Sequence, residues 1–279
     1  MISFDFEFYR PDSLDGAVSL YKELSVSGKK ALYYAGGTEI VTSFRKESVT
    51  ADALIDIKGI KECRQLSKEG DYLYFGSALT LNELVEKNYY PMLTEISRKV
   101  ADHTVRNSLT IGGNICGRLP YREIVLAFML AESTCLIATD IGVREVPFNE
   151  AYDKRLLLKD GEFLVAIKVK KTSVSKNYYR ERKVKIGEID YPIFHIVISE
   201  ERGVLRAAFS GVTGFPIRSD ELDKILSASK SHAEISEEII ANFPYPIRED
   251  IKASKAFRTK LLKDSIKDGL DYIGGASNE

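Results

Sequence analysis

The sequence predicts an α+β protein in two parts, with a break near residue 170. Its 279 residues, with 44% hydrophobic and 29% charged side chains, suffice for two domains with a substantial core. Up to residue 170, strand-length apolar runs and helix-period segments interleave without a regular βαβ alternation, the mark of α+β rather than a doubly wound sheet. From residue 177 the order changes to strands first and helices last. The polar stretch "KKTSVSK" (170–176) separates the two textures, giving domains at 1–170 and 171–279.

Each element has its own warrant. After Pro11, the residues Leu14, Ala17, Val18, Tyr21 and Leu24 recur at helical spacing, so "DSLDGAVSLYKEL" buries one face. A strand at 31–35 runs into two glycines, after which Ile40, Val41 and Phe44 share a helical face. "ADALIDI" and "DYLYFGSAL" read as strands. "TLNE" (80–83) has capping-box spacing, in which a threonine and a glutamate satisfy each other's exposed amides. Pro91 opens "PMLTEISRKVAD", and "REIVLAFMLAEST" is a further apolar helix. "CLIATD" and "FLVAIKV" read as strands separated by a polar turn. In the second part, residues 177–212 predict two or three strands with a turn at 200–203, followed by helices at 219–229, 236–242 and 254–273. The last helix carries Leu261, Leu262, Ile266 and Leu270 on one stripe.

Composition excludes several classes of function. Forty basic residues against forty-one acidic ones give a net charge of −1, so no global field favours nucleic acid or an anionic membrane. No apolar run approaches the ~18 residues of a membrane span. The opening "MISFDFEFYRP" lacks the basic-then-apolar order of a secretory leader, so a cytoplasmic location is expected. Cys63, Cys116 and Cys135 are too scattered for a disulfide framework, a zinc site or an iron–sulfur cluster. His103, His195 and His232 are equally dispersed, and no metal site is expected. Redox chemistry here would need an organic cofactor or a partner's metal.

Two glycine pairs then stand out, in "AGGTE" (35–39) and "TIGGN" (110–114). Adjacent glycines let backbone amides point at an anion without Cβ atoms in the way, and a following helix adds partial positive charge. Thr110 and Asn114 add side chains suited to phosphate or ribityl oxygens. Neither segment fits the Rossmann or Walker patterns. A Gly-Gly pair also serves as an ordinary turn, so pattern alone leaves a turn and a phosphate cradle both open.

The set "AGGTEI" plus "LTIGGNI" closely resembles the flavoprotein subunit of the molybdenum hydroxylases, a family that includes xanthine, carbon monoxide and nicotinate dehydrogenases. "FEFYRPDSLDGAVSLYKEL" is similar to the family's opening, "RLLLKDGEFLVAIKV" to the strand pair closing its FAD domain, and "FSGVTGFPIR" to its carboxy-terminal domain. The resemblance spans nearly the whole chain. It implies a vanillyl-alcohol-oxidase (PCMH) type FAD domain of two α+β subdomains, about 1–55 and 56–170, followed by a smaller α+β domain with an antiparallel sheet and three helices. Both glycine pairs would then face the FAD pyrophosphate. By the same resemblance Tyr33, Tyr34, Ala35, Gly36, Gly37, Thr38, Glu39 and Ile40 line the first loop, with Gly36 to Glu39 at the phosphates and Ile40 against the isoalloxazine. Thr110, Ile111, Gly112, Gly113 and Asn114 form the second loop. Where relatives have Ser-Pro-x-x-Asp, this chain reads Leu119-Pro120-Tyr121-Arg122-Glu123, so Glu123 takes the aspartate's place with a longer reach. Arg180 falls where many relatives carry a lysine near the flavin, and Leu157 or Leu158 covers part of it.

The implied activity is electron transfer without a catalytic side chain of this chain's own. Electrons would come from iron–sulfur and molybdopterin subunits of the same complex, xanthine dehydrogenase-like, and leave from FAD to NAD+ or another acceptor. A self-contained FAD-dependent oxidase of the same fold and a non-catalytic FAD-binding assembly protein are the alternatives. Flavin content and bleaching by NADH separate the assembly protein from the other two. Neighbouring genes for the partner subunits separate the complex from the oxidase.

Overall fold

The computed structural model describes residues 1–131, 133–174, 177–185 and 191–276. Residues 175 and 176 of the polar boundary stretch, and 186–190 in the second strand region, lie outside the described residues. The chain forms two compact units. The first takes Met1–Tyr89, Ser97–Gly117 and Glu132–Thr172; the second takes Tyr90–Ile96, Arg118–Ala131 and Ser173–Glu279. A single break at residue 170 does not contain the two excursions, 90–96 and 118–131. For 118–131 the reason is burial rather than sequence position, as the second unit shows below.

The first unit opens with β1 (Glu7–Tyr9), α1 (Leu14–Val26), β2 (Ala31–Tyr34), α2 (Thr38–Arg45) and β3 (Ala53–Asp56). These strands form a parallel sheet in the order β1-β3-β2, so the chain does alternate strand and helix over its first 56 residues. The expectation of no regular βαβ order is corrected there: β1 is three residues long and its "EFY" carries no strand period to read. Ser13 caps α1 by accepting from the Gly16 amide, and Ala17, Val18 and Leu24 bury the helix against β2 and β3.

Next come β4 (Leu66–Glu69), β5 (Tyr72–Gly76), α3 (Leu81–Lys87), α4 (Pro91–Arg98), α5 (His103–Arg106), α6 (Ile111–Cys116) and α7 (Val125–Leu130). They are followed by β6 (Thr134–Thr139), β7 (Gly142–Pro147), α8 (Phe148–Ala151), β8 (Tyr152–Asp153), β9 (Arg155–Leu156) and β10 (Phe163–Lys170). An antiparallel sheet runs β4-β5-β10-β6-β7, with β10 at its centre and almost wholly buried. Thr80 and Glu83 form the capping box of α3. The single polar turn expected between β6 and β10 is instead a hairpin strand, a short helix and a two-residue ribbon. β7 reads as turn because its "GVREVP" is an edge strand, exposed at alternate positions.

In the second unit β11 (Asn177–Val184), β12 (Pro192–Glu201), β13 (Val204–Ser210) and β14 (Ile217–Arg218) form an antiparallel meander. Phe194, Ile196 and Ile198 on one face of β12 pack with Leu222 of α9 (Asp220–Leu226), Ile235 and Ile239 of α10 (His232–Ala241), and Leu262 and Ile266 of α11 (Lys255–Ala276). Alternation along β12 sends His195 to the opposite face. Helix α7, buried at every residue, packs on β12 and β13. That burial explains why 118–131 belongs to this unit. Among the described residues no helix is long and apolar enough to cross a membrane.

Candidate functional site

The first glycine segment links β2 to α2. Strand alternation sends Tyr33 and Tyr34 to opposite faces of β2. Tyr33 stacks on Tyr21 at 5.2 Å and donates its hydroxyl to the Gly161 carbonyl at 2.8 Å. Burial pushes its phenol well above the ordinary value. Tyr34 packs on the other side with Phe44 and Ile40, its phenol raised by burial and by Asp56. After Ala35 and Gly36 the chain turns at Gly37, whose φ of 73° is a left-handed conformation that suits glycine. Gly37 is the N-cap of α2, and no side chain caps that helix. Among the described residues no protein acceptor takes the amide hydrogens of Gly36 or Gly37. Those donors, together with the positive end of an eight-residue helix, suit an anion.

The second segment opens α6 and runs antiparallel beside residues 77–81, the stretch that leads into α3. Leu81 donates its amide to Leu109 O, Ile111 to Leu79 O and Gly112 to Ser77 O, at 2.7 to 2.9 Å. Thr110 caps α6 by accepting from the Gly113 amide at 3.1 Å. The structure brings the two glycine pairs together. A Cβ on Gly36 would stand 1.8 Å from the Ser108 carbonyl oxygen and 3.2 Å from Thr110 Cγ2. Gly112 is likewise pressed on Ser77, with 2.8 Å from a Cβ to the serine's own. Gly36 and Gly112 are therefore small because the protein's own backbone passes there. Gly113 differs: it is exposed, and a Cβ would meet only Thr110 Oγ1, at 2.9 Å. Its neighbour Asn114 has a buried Oδ1 without a hydrogen-bond partner among the described residues, an acceptor that costs free energy unless a ligand or water satisfies it. Unpaired amides on one segment and an orphaned amide oxygen on the other fit a phosphate- and hydroxyl-bearing cofactor.

The Glu39 carboxylate reaches across to the second segment, where a Cβ on Gly117 would lie 2.7 Å from Glu39 Oε2. Its backbone amide, not its charge, is the part suited to a phosphate. Ile40 is half-buried and packs into the Phe44 cluster. Leu157 and Leu158 line a cavity of about 310 Å³ with Arg144, Arg155, Leu156 and Lys159. Because α6 packs beside β9, this segment runs next to the second glycine helix. Glu123 and Arg180 belong to the second unit. Glu123 is 3% exposed, and its Oε2 lies 2.7 Å from His195 Nδ1 and 2.9 Å from Arg182 Nε. Those contacts make it a buried structural carboxylate that ties 118–131 to β11 and β12. Arg180 Nε pairs with Glu95 Oε2 at 2.7 Å.

Sequence reading missed Lys58 and Asp56. Lys58 Nζ donates to the Ala35 carbonyl at 2.7 Å and to Asp56 Oδ1 at 2.8 Å, and lies 4.3 Å from the centre of the Tyr34 ring. No local pattern marks them: the parallel register, Tyr34 opposite Asp56, is what puts "DIKG" beside the first glycine pair.

Comparison with known proteins gives this geometry its context. Residues 4–170 match the family model described as the FAD binding domain in molybdopterin dehydrogenase. The chain is 25% identical over 236 residues to the carbon monoxide dehydrogenase medium chain of Afipia carboxidovorans, covering 81% of each. It is 25% identical over 280 residues to the xanthine dehydrogenase FAD-binding subunit of Escherichia coli O157:H7, covering 95% of this chain and 94% of that one. Among solved structures, carbon monoxide dehydrogenase from Hydrogenophaga pseudoflava superposes with a TM-score of 0.86 at 23% identity, over 97% of this chain and 98% of that one. Quinoline 2-oxidoreductase from Pseudomonas putida 86 gives 0.84 at 20% identity, over 97% of each. The α+β fold is thus the PCMH type that the family resemblance implies. The chain belongs to the FAD-binding family of the molybdopterin dehydrogenases, as an oxidoreductase subunit of the molybdenum hydroxylases with FAD as its cofactor.

Proposed function

We propose that this chain is the electron-transfer subunit of a xanthine dehydrogenase-like complex, working with an iron–sulfur subunit and a molybdopterin subunit in the cytoplasm. The observation that carries the reading is the meeting of the two glycine segments, Gly36 against Ser108 and Thr110, in a chain of this family. Relatives described as medium chain and FAD-binding subunit support the assignment to a multi-subunit complex. In this reading residues 1–170 form the FAD domain, with subdomains near 1–55 and 56–170, and 171–279 the carboxy-terminal domain.

When bound, FAD supplies two-electron redox chemistry, linking iron–sulfur clusters to NAD+ or another acceptor. The chain's own residues bind and orient. The amides of Gly36, Gly37, Thr38 and Glu39 face the pyrophosphate from the first segment. Thr110, Gly113 and Asn114 face it from the second, with Ile111 and Gly112 fixing the loop. Leu157 or Leu158 excludes water from the flavin. Ile40 and Arg180 are the residues proposed beside the ring, where Arg180 would favour an anionic reduced state.

The test is reduction of the FAD-loaded chain by NADH. Bleaching of the flavin band, with no hydroxylation of hypoxanthine, xanthine or nicotinate until the two partner subunits are added, is the expected result. Purine hydroxylation by the purified single chain without metal would refute it.

A further inference from the structure

We propose that Lys58 is the positioning residue that sets the phosphate-binding conformation of the first glycine segment. The inference rests on the reading of that segment as a pyrophosphate cradle. Three contacts hold the ammonium: the Ala35 carbonyl at 2.7 Å, Asp56 Oδ1 at 2.8 Å, and the face of Tyr34, whose centre is 4.3 Å away. Asp56 is itself fixed. Its side chain is 4% exposed, it accepts from the Lys58 amide at 3.0 Å, and it ends β3 in register with Tyr34.

A trans peptide is planar, and its C=O and N–H point in opposite directions. Holding the Ala35 carbonyl toward Lys58 therefore turns the Gly36 N–H the other way, away from the ammonium. The Gly36 amide has no protein acceptor among the described residues. Without Lys58 the Ala35 carbonyl would lose its partner, and the peptide would be free to rotate. Its rotation would point an oxygen, not a hydrogen, into the cradle. Tyr34 joins the same unit, because a Cβ on Gly37 would lie 2.4 to 2.6 Å from the edge of its ring. One lysine thus steadies the peptide before Gly36 and the ring that walls Gly37.

The role is positional rather than a matter of bulk charge. Asp56, 2.8 Å from Lys58 and 3.9 Å from the exposed Arg10 Nε, opposes the field of Lys58 at a distance. A long-range attraction for phosphate would weaken with salt, whereas a fixed peptide would not.

The experiment titrates FAD and riboflavin, which lacks phosphate, into the deflavinated full chain and follows flavin fluorescence at low and high salt. Lys58→Met should weaken FAD about tenfold at both salt concentrations, in line with one charge-assisted hydrogen bond, and leave riboflavin unchanged. Lys58→Arg should restore most of the FAD affinity. Wild-type FAD affinity in Lys58→Met, an equal loss for riboflavin, or a loss that disappears at high salt would each overturn the proposal. Should Lys58→Met fail to fold, Lys58→Leu, which also lacks a donor, takes its place with the same criteria. Gly113→Val runs alongside: if it keeps FAD, the cradle reading fails, whereas FAD loss there with normal binding in Lys58→Met refutes Lys58 alone.

Discussion

Replacing Gly36 by alanine separates a glycine required by the fold from one required by the ligand. The new Cβ would stand 1.8 Å from the Ser108 carbonyl oxygen and 2.9 Å from its carbon. A tolerable contact needs about 3 Å or more, so one backbone segment must move by about 1.2 Å. Both are held, one by the turn into α2 and the other by the Leu81, Ile111 and Gly112 amides bonded around it. Overpacking costs about 1–3 kcal/mol in a well-packed core. With backbone on both sides, the upper end of that range applies. At about 2–4 °C per kcal/mol for a chain of this size, melting should fall by about 6–12 °C. The assay is thermal unfolding of the deflavinated chain, which removes ligand stabilisation from the comparison. Gly113→Ala in the same assay meets only Thr110 Oγ1 and disturbs one helix cap, worth about 1 kcal/mol. If Gly36→Ala melts within about 2 °C of wild type, the reasoning about close backbone approach is wrong.

Four further outcomes follow from particular contacts. Asn114→Ala should weaken FAD binding while leaving apo stability almost unchanged, since its Oδ1 has no protein partner; unaltered flavin affinity would remove Asn114 from the site. Glu123→Ala should cost about 3–5 kcal/mol in chemical denaturation, because it takes the carboxylate from buried His195 and from half-buried Arg182; a loss under about 1 kcal/mol would contradict a structural role. Arg180→Ala breaks a half-exposed pair with Glu95 and should cost at most about 1 kcal/mol, yet lower the flavin potential; a wild-type potential and NADH rate would refute its placement near the ring. Burial raises the Glu162 carboxyl, but hydrogen bonds from Arg144 and the Lys159 amide outweigh it and hold it below the ordinary 4.5. A depressed acid stabilises the fold above its unfolded value and loses that contribution as pH falls further. Stability of wild type should therefore fall more steeply below pH 4.5 than that of Glu162→Gln, and identical acid limbs would contradict the pairing.

Much of this was legible in sequence because local chemistry and tertiary position agreed. Helix α3 was readable from "TLNE", since a capping box is closed within four residues. The stripe Leu262, Ile266 and Leu270 of α11 was readable because it is buried on one side only. Helix α7 was expected as a longer helix, but its six residues are buried on every face and carry no period that marks its ends. The hairpin strand β7 was lost in its alternating exposure and charge. At the site, the glycine pairs announced themselves, but not their division of labour. Gly36 and Gly112 answer to Ser108 and Ser77, residues 72 and 35 positions away in the chain, which no local pattern encodes. Lys58 was invisible for the same reason: only the parallel register brings it to Ala35.

The central claim is that the two glycine segments jointly hold FAD, and flavin stoichiometry tests it most directly. Wild type and Gly113→Val are purified with FAD in excess, unbound flavin is removed, and flavin absorbance per protein is measured beside circular dichroism. Close to one FAD per wild-type chain and severe loss in a Gly113→Val variant of native circular dichroism is the predicted result. Equal occupancy in the two folded proteins would contradict it.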